Sequence, residues 1–261
     1  MFRFIVLIFL FKLPRLIFTQ ELILVDSINI VADKCIINSN GDIYGVNEDE
    51  SFLFRINSDG DILKYKLKKF QIENIKILKN DPLKTSFVLP FESRIITFDR
   101  QMQIISEEQR PELDPMFSFC FYQSGSKCVF SNYMITVYSK DNEEINQSDQ
   151  LRLESKMNSC SALFSEGDDI YLWIKDQGIF KYNSYLNFEK SLTDKSISSV
   201  DIFNNDIYYA IDNKIYKWST SNLFPTEIFE SKDDIKSFSL NREYLIVSNS
   251  TMIKKYKIKH I

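Results

Sequence analysis

Residues 41–67 read Gly41-Asp42-Ile43-Tyr44-Gly45-Val46-Asn47-Glu48-Asp49-Glu50-Ser51-Phe52-Leu53-Phe54-Arg55-Ile56-Asn57-Ser58-Asp59-Gly60-Asp61-Ile62-Leu63-Lys64-Tyr65-Lys66-Leu67. Three short runs rich in β-branched and aromatic residues, Ile43 to Val46, Phe52 to Ile56 and Ile62 to Leu67, are separated by two polar turns. Asn57-Ser58-Asp59-Gly60 is a hairpin turn signal, because Gly60 accepts a positive φ and Asn and Asp tolerate one.

The same block returns along the chain. Its third strand lines up most clearly, in Leu53-Phe54-Arg55-Ile56, Ile95-Ile96-Thr97-Phe98, Ile135-Thr136-Val137-Tyr138, Ile179-Phe180-Lys181-Tyr182, Ile215-Tyr216-Lys217-Trp218 and Ile253-Lys254-Lys255-Tyr256. The last residue of each falls at 56, 98, 138, 182, 218 and 256, with spacings of 42, 40, 44, 36 and 38. Second strands agree at Asp42-Ile43-Tyr44, Asp169-Ile170-Tyr171 and Asp206-Ile207-Tyr208. A period near forty with four short strands per unit predicts an all-β fold, a six-bladed β-propeller with four-stranded antiparallel blades. A β-sandwich would not explain the period.

The chain ends sharpen this. The sixth block stops after its third strand, and residues 22–30 form a strand with no block of its own. Pairing 22–30 with 251–259 as the outer strand of blade six closes the ring and removes two exposed edges. Residues 20–261 are then a single propeller domain.

Composition suits the fold. Hydrophobic residues make up 44% and aromatics 14%, with 22 Phe and 13 Tyr, so a sizeable core is available. There are six Gly and six Pro, so turns must rely on Asn, Asp and Ser. Met1-Phe2-Arg3, an uncharged run from Phe4 to Phe11, and Thr19 resemble a signal peptide over residues 1–19, which points to a periplasmic, cell-surface or secreted protein. Lys12 and Arg15 are unusual there, and a retained apolar anchor is the alternative. Eight uncharged residues are too few to span a bilayer, so the chain is not expected to be transmembrane. Loss of Arg3, Lys12 and Arg15 leaves 29 Lys and Arg against 36 Asp and Glu, a net charge of −7. That balance argues against nucleic acid as a partner.

Cys35, Cys120, Cys128 and Cys160 show no CxxC spacing and no neighbouring His, so no zinc site is expected. Cys120 and Cys128 flank a turn at Ser124-Gly125-Ser126 and could face each other, either as a disulfide or as buried thiols.

With six blocks in view, the chain resembles the secreted six-bladed propellers of Gram-negative bacteria loosely grouped with NHL-repeat and TolB-like proteins. Gly41-Asp42-Ile43-Tyr44, Phe54-Arg55-Ile56 with Asn57 to Gly60, and their echoes at 167–182 and 206–218 carry the likeness. The resemblance implies binding of proteins, sugars or small ligands, with a minority of lyases and lactonases whose metal sits among inward-facing Glu, Asn, Asp and often His. The single His260 stands at the extreme C-terminus, a departure from that minority.

Nothing else points to catalysis. No GxSxG, P-loop or GxGxxG occurs, and Asn57 to Asp61 lacks the distal Glu of an EF-hand, since position 68 is Lys. The aromatics Trp173, Tyr182, Tyr216, Trp218 and Tyr256 suit packing between sheets better than a sugar-binding slot. No cofactor, metal or catalytic residue is called for. The expected function is a non-enzymatic binding or scaffold propeller with a protein partner in the cell envelope; the alternative is a metal-assisted hydrolase or lyase using channel carboxylates.

Loops joining second to third strands share a face with those joining blades. That face is expected to gather Glu48, Asp49, Glu50, Glu92 and Asp176, joined by a loop carrying Glu107, Glu108, Glu112 and Asp114, as an acidic surface for a basic partner.

Overall fold

The computed structural model describes residues 21–69, 72, 75–81, 83–109, 118–122, 125–151, 162–219, 222 and 224–259. The expected leader 1–19, Glu112, Asp114, Cys160 and His260 lie outside them. No helix among the described residues is long and apolar enough to cross a membrane.

Strand β1 (Glu21–Ile28) opens the chain. Blade one follows as β2 (Lys34–Ile37), β3 (Ile43–Asn47), β4 (Phe52–Ile56) and β5 (Ile62–Lys66), and blade two as β6 (Lys76–Asp81), β7 (Lys84–Leu89), β8 (Arg94–Asp99) and β9 (Ile104–Gln109). Blade three is β10 (Ser118–Phe121), β11 (Lys127–Ser131), β12 (Met134–Tyr138) and β13 (Glu144–Gln147). Blade four is β14 (Ala162–Glu166), β15 (Asp169–Ile174), β16 (Gly178–Tyr182) and β17 (Phe188–Leu192). Blade five is β18 (Ser199–Phe203), β19 (Asp206–Ile211), β20 (Lys214–Ser219) and β21 (Thr226–Glu230). Blade six is β22 (Ser237–Leu240), β23 (Tyr244–Ser248), β24 (Ile253–Lys259) and, on its outer side, β1. All six sheets are antiparallel, as the repeat predicts. The closing pair runs from Glu21 opposite Lys259 to Ile28 opposite Ile253, so the N-terminal strand completes the ring.

The turns use the chemistry expected of them. Gly60 has φ +87°, and Asn57 Oδ1 accepts from the amides of Asp59 and Asp61. Elsewhere Asn132, Asn142, Asn204 and Asn205 take positive φ where glycine is scarce. Gly45 is needed for another reason: a Cβ there would lie 2.1 Å from Cζ of Phe54, whose ring covers it from the facing strand.

The core is divided among the spaces between blades. Tyr44, Val46 and Leu53 of blade one meet Phe87, Ile96 and Phe98 of blade two. Phe52, Phe54 and Ile56 pack on Ile246 and Ile253 of blade six, which welds the two ends of the chain together. The expected packing aromatics fall in such clusters, Tyr182 between blades three and four, Trp173, Tyr216 and Trp218 between four and five, and Tyr256 between five and six. Full burial of one such ring contributes roughly 1.5–3 kcal/mol. The cluster between blades two and three is small, built on Leu78, Val88, Ile95, Phe119 and Val129.

Outer strands carry a repeated irregularity. In blades two to six one residue of the outer strand has no partner opposite: Ile105, Ile145, Glu189, Ile228 and Val25. Such bulges bend an edge and hinder pairing with another chain.

Candidate functional site

The first strands of neighbouring blades lie side by side around the axis. Five of them pair with their second strands in unbroken register. β6 does not: Leu78 faces Ser86 and Asp81 faces Lys84, leaving Lys79 and Asn80 opposite Thr85 alone. A bulge of this kind re-aims a side chain, and here it sends Lys79 across the channel. Lys79 Nζ donates to Asp201 Oδ2 at 3.1 Å, to Ser239 Oγ at 3.4 Å and to the carbonyl of Leu240. Asp201 is buried, and its Oδ2 also accepts from Ser239 Oγ at 2.8 Å and the Leu240 amide at 2.9 Å. Blades two, five and six are thereby strapped together across the axis.

Beside this strap opens a cavity of about 380 Å³ on the face of the first-to-second strand turns. Lys79, Thr85, Phe203, Asn241, Arg242 and Glu243 are among its walls. Next to Thr85 stands Tyr44, whose phenol burial holds above the ordinary tyrosine value, against the pull of Thr85 and Arg55. Nothing in the sequence reading marked Lys79 or this face; the one local signal was the break in the apolar run at Asn80-Asp81-Pro82.

A second ionic cluster sits within blade one. Arg55 Nη2 and Nε reach Asp42 Oδ2 at 2.9 and 3.2 Å, and Arg55 Nη1 donates to the Arg100 carbonyl of blade two. Both Asp42 and Arg55 are buried. The same cross-strand pair recurs as Lys181 with Asp169 at 2.8 Å and Lys217 with Asp206 at 2.6 Å. Burial alone would lower Lys181 and Lys217, but their carboxylate partners, Asp169 and Glu189 for one and Asp206 for the other, leave both above the ordinary lysine value.

The acidic residues singled out from sequence are spread around the opposite face. Asp49 and Glu50 are exposed in the β3–β4 turn, and Asp176 holds positive φ in the β15–β16 turn, three blades away. Glu48 pairs with Lys34 at 3.6 Å. Glu92 and Glu107 converge on Arg94, at 2.8 and 2.7 Å. Glu108 reaches Lys127 at 3.4 Å. Glu107 and Glu108 were expected in a loop; they belong instead to β9, because their backbone pairs with Ile96 and Ile95. Cys120 and Cys128 do face each other across β10 and β11, and both are buried free thiols, Cys128 being pushed up by burial and by Cys120.

No known family profile and no curated protein sequence matches the chain. Solved structures do. Virginiamycin B lyase from Staphylococcus aureus, in a catalytically inactive histidine-to-alanine variant with quinupristin, superposes with a TM-score of 0.60 at 13% identity over 92% of this chain and 100% of that one. The likeness is one of fold. Raptor from Chaetomium thermophilum gives 0.62 at 13% identity over 93% of this chain and 30% of that one. A chain of the mitotic checkpoint complex gives 0.60 at 10% identity over 99% and 100%. The fold is therefore shared with a lyase, with Raptor and with a chain of the mitotic checkpoint complex alike.

Proposed function

We propose that the protein is a non-enzymatic binding propeller, a rigid ring that presents its loops to a protein partner, acting in the periplasm or at the cell surface. The observation that carries this reading is the Lys79–Asp201 strap. It places an ammonium group in the channel, where the metal-assisted alternative would need converging carboxylates and a cation. Asp201, the buried channel carboxylate, is already neutralised by that ammonium and by two further donors. Similarity of fold to a chain of the mitotic checkpoint complex supports a protein partner. In this reading the loop face contacts the partner through Asp49, Glu50 and Asp176 first. Glu48, Glu107 and Glu108 are already engaged by cations.

Envelope pull-down with mass spectrometry tests it. The wild-type protein is expected to recover a defined partner, and replacing Asp49, Glu50, Glu107, Glu108, Glu112, Asp114 and Asp176 with Ser is expected to reduce recovery more at low than at moderate salt. Absence of a partner, together with micromolar binding of Mg²⁺ or Mn²⁺ by calorimetry, would favour the hydrolase or lyase reading instead.

A further inference from the structure

Aligning the blades by their strand pairing shows a row kept in blades one, four and five and replaced in blades two, three and six. The cross-strand row that faces the next blade reads Tyr44–Arg55–Leu63 in blade one, Tyr171–Lys181–Lys190 in blade four and Tyr208–Lys217–Thr226 in blade five. In blade two the same row is Ser86–Thr97–Ser106. The acidic residue two before the tyrosine, Asp42, Asp169 or Asp206, is Lys84 in blade two. Blade two therefore has neither the large side chains nor the ion pair that fill this space in blades one, four and five, and its row is the one made of three hydroxyls. The consequence is a cleft of about 560 Å³ between blades two and three, next to the small apolar cluster between those blades.

The cleft has a distinct chemistry. One wall is the row of three hydroxyls, with Ser86 Oγ and Thr97 Oγ1 2.8 Å apart. The bulge at Ile105 lets both Ile105 and Ser106 line the cleft, which regular alternation would forbid. The other wall is the ring of Phe121; Tyr122 borders the cleft, but its ring packs on the cluster between blades three and four. Phe121 is steadied edge-on by Phe119 at 5.3 Å, so its ring is held in place before anything binds. Glu108, at one end, already faces Lys127.

A row of hydroxyls opposite a fixed aromatic ring, with Lys84 and Glu108 also on the lining, matches one ligand chemistry. A sugar ring offers hydroxyls that both donate and accept around its edge, and a C–H face that stacks on an aromatic ring. Hydroxyl side chains satisfy such an edge without the desolvation that a charged wall would demand. The volume lies in the range of small-molecule sites. We infer that the cleft between blades two and three is a carbohydrate-binding site for a neutral saccharide of one or two rings, a site that shares Glu108 with the surface assigned to a protein partner but does not rest on that assignment.

The repeat itself supplies the decisive variant. Lys84→Asp, Ser86→Tyr and Thr97→Arg together transplant the row of blade one into blade two and fill the cleft with side chains the fold already accommodates three times. Saturation-transfer NMR and calorimetry with lactose, maltose, cellobiose and di-N-acetylchitobiose are the probes. At least one is expected to bind the wild-type protein with submillimolar Kd, and to bind the triple variant at least tenfold more weakly while its Tm is retained. Should the triple variant not fold, Ser106→Ala and Phe121→Leu replace it, each expected to weaken the same sugar by threefold or more. The inference is overturned if none of the four sugars binds the wild type, if the bound sugar is unaffected by these variants, or if only acidic peptides added as controls compete for the cleft.

Discussion

Lys79 of blade two and Asp201 of blade five, 122 residues apart in sequence, meet at 3.1 Å across the axis of the ring. Asp201 keeps two other donors if Lys79 is removed, the Ser239 hydroxyl and the Leu240 amide. Lys79→Met should therefore cost about 1–3 kcal/mol, short of what a wholly stranded buried charge would cost. Lys79→Met combined with Asp201→Asn should be less destabilising than the sum of the single changes. Urea unfolding of the four proteins gives the coupling energy, and a value near zero would show that the strap does not hold the blades.

Ring closure makes a separate demand. β1 covers β24 along its length, and Leu22 and Ile28 pack into the clusters on either side of blade six. Deleting residues 21–28 bares the backbone of β24 and strips apolar cover from Tyr256 and Ile258. The truncated protein is expected to lose 10 °C or more in Tm, a drop on the order of several kcal/mol of burial, and to associate through the exposed edge. Light scattering and calorimetry check both; a monomer with unchanged Tm would show that the remaining strands close without it.

The architecture was legible because its signals are local and repeated. Ile-Tyr pairs, Asn-rich turns and the forty-residue period all follow from strand alternation and turn chemistry, and the unpartnered strand at 22–30 could be placed by counting. The Asp42–Arg55, Asp169–Lys181 and Asp206–Lys217 pairs were also present as a recurring pattern, but alternation alone does not tell a cation facing a neighbouring blade from one facing water. Lys79 was beyond reach. Its direction is set by a single-residue slip in β6, and one slip reverses every side chain after it. The ion pairs within the acidic face were hidden for a related reason: Arg94 and Lys127 lie 13 and 19 residues from the Glu107 and Glu108 they engage, so the pairing appears only once the strands are paired.

Alkaline stability should report on Cys35. Burial raises its thiol from 9.0 to about 11, with Ser237 and Ser248 opposing and Asp201 adding to the rise. The folded value exceeds the unfolded one, so its contribution is whole below about pH 9 and is lost as pH rises through about 11. The loss should reach about 2–3 kcal/mol. Cys35→Ala should lower stability at pH 8 yet flatten the fall between pH 9 and 11. Urea midpoints of both proteins across that range decide it, and parallel curves would mean that other groups, such as Tyr182 and Tyr209 at about 12, carry the alkaline transition.

Arg55 and Arg94 make the sharpest contrast between ion pairs in this fold. Arg55 is 5% exposed against an Asp42 that is fully enclosed, and Arg55→Met would leave that carboxylate with only the more exposed Arg100, at 3.3 Å. Arg94 sits at the rim, where Glu92 and Glu107 remain in contact with water. Breaking a buried pair from one side costs about 3–5 kcal/mol, whereas an exposed pair is worth about 0–1 kcal/mol. Arg55→Met is therefore expected to destabilise by at least about 3 kcal/mol, with little dependence on salt, and Arg94→Met by under about 1 kcal/mol, less still in 0.5 M NaCl. Denaturant unfolding at both salt concentrations measures the two. Equal losses would mean that Asp42 finds its stability elsewhere in blade one, with Arg100 as the group to remove next.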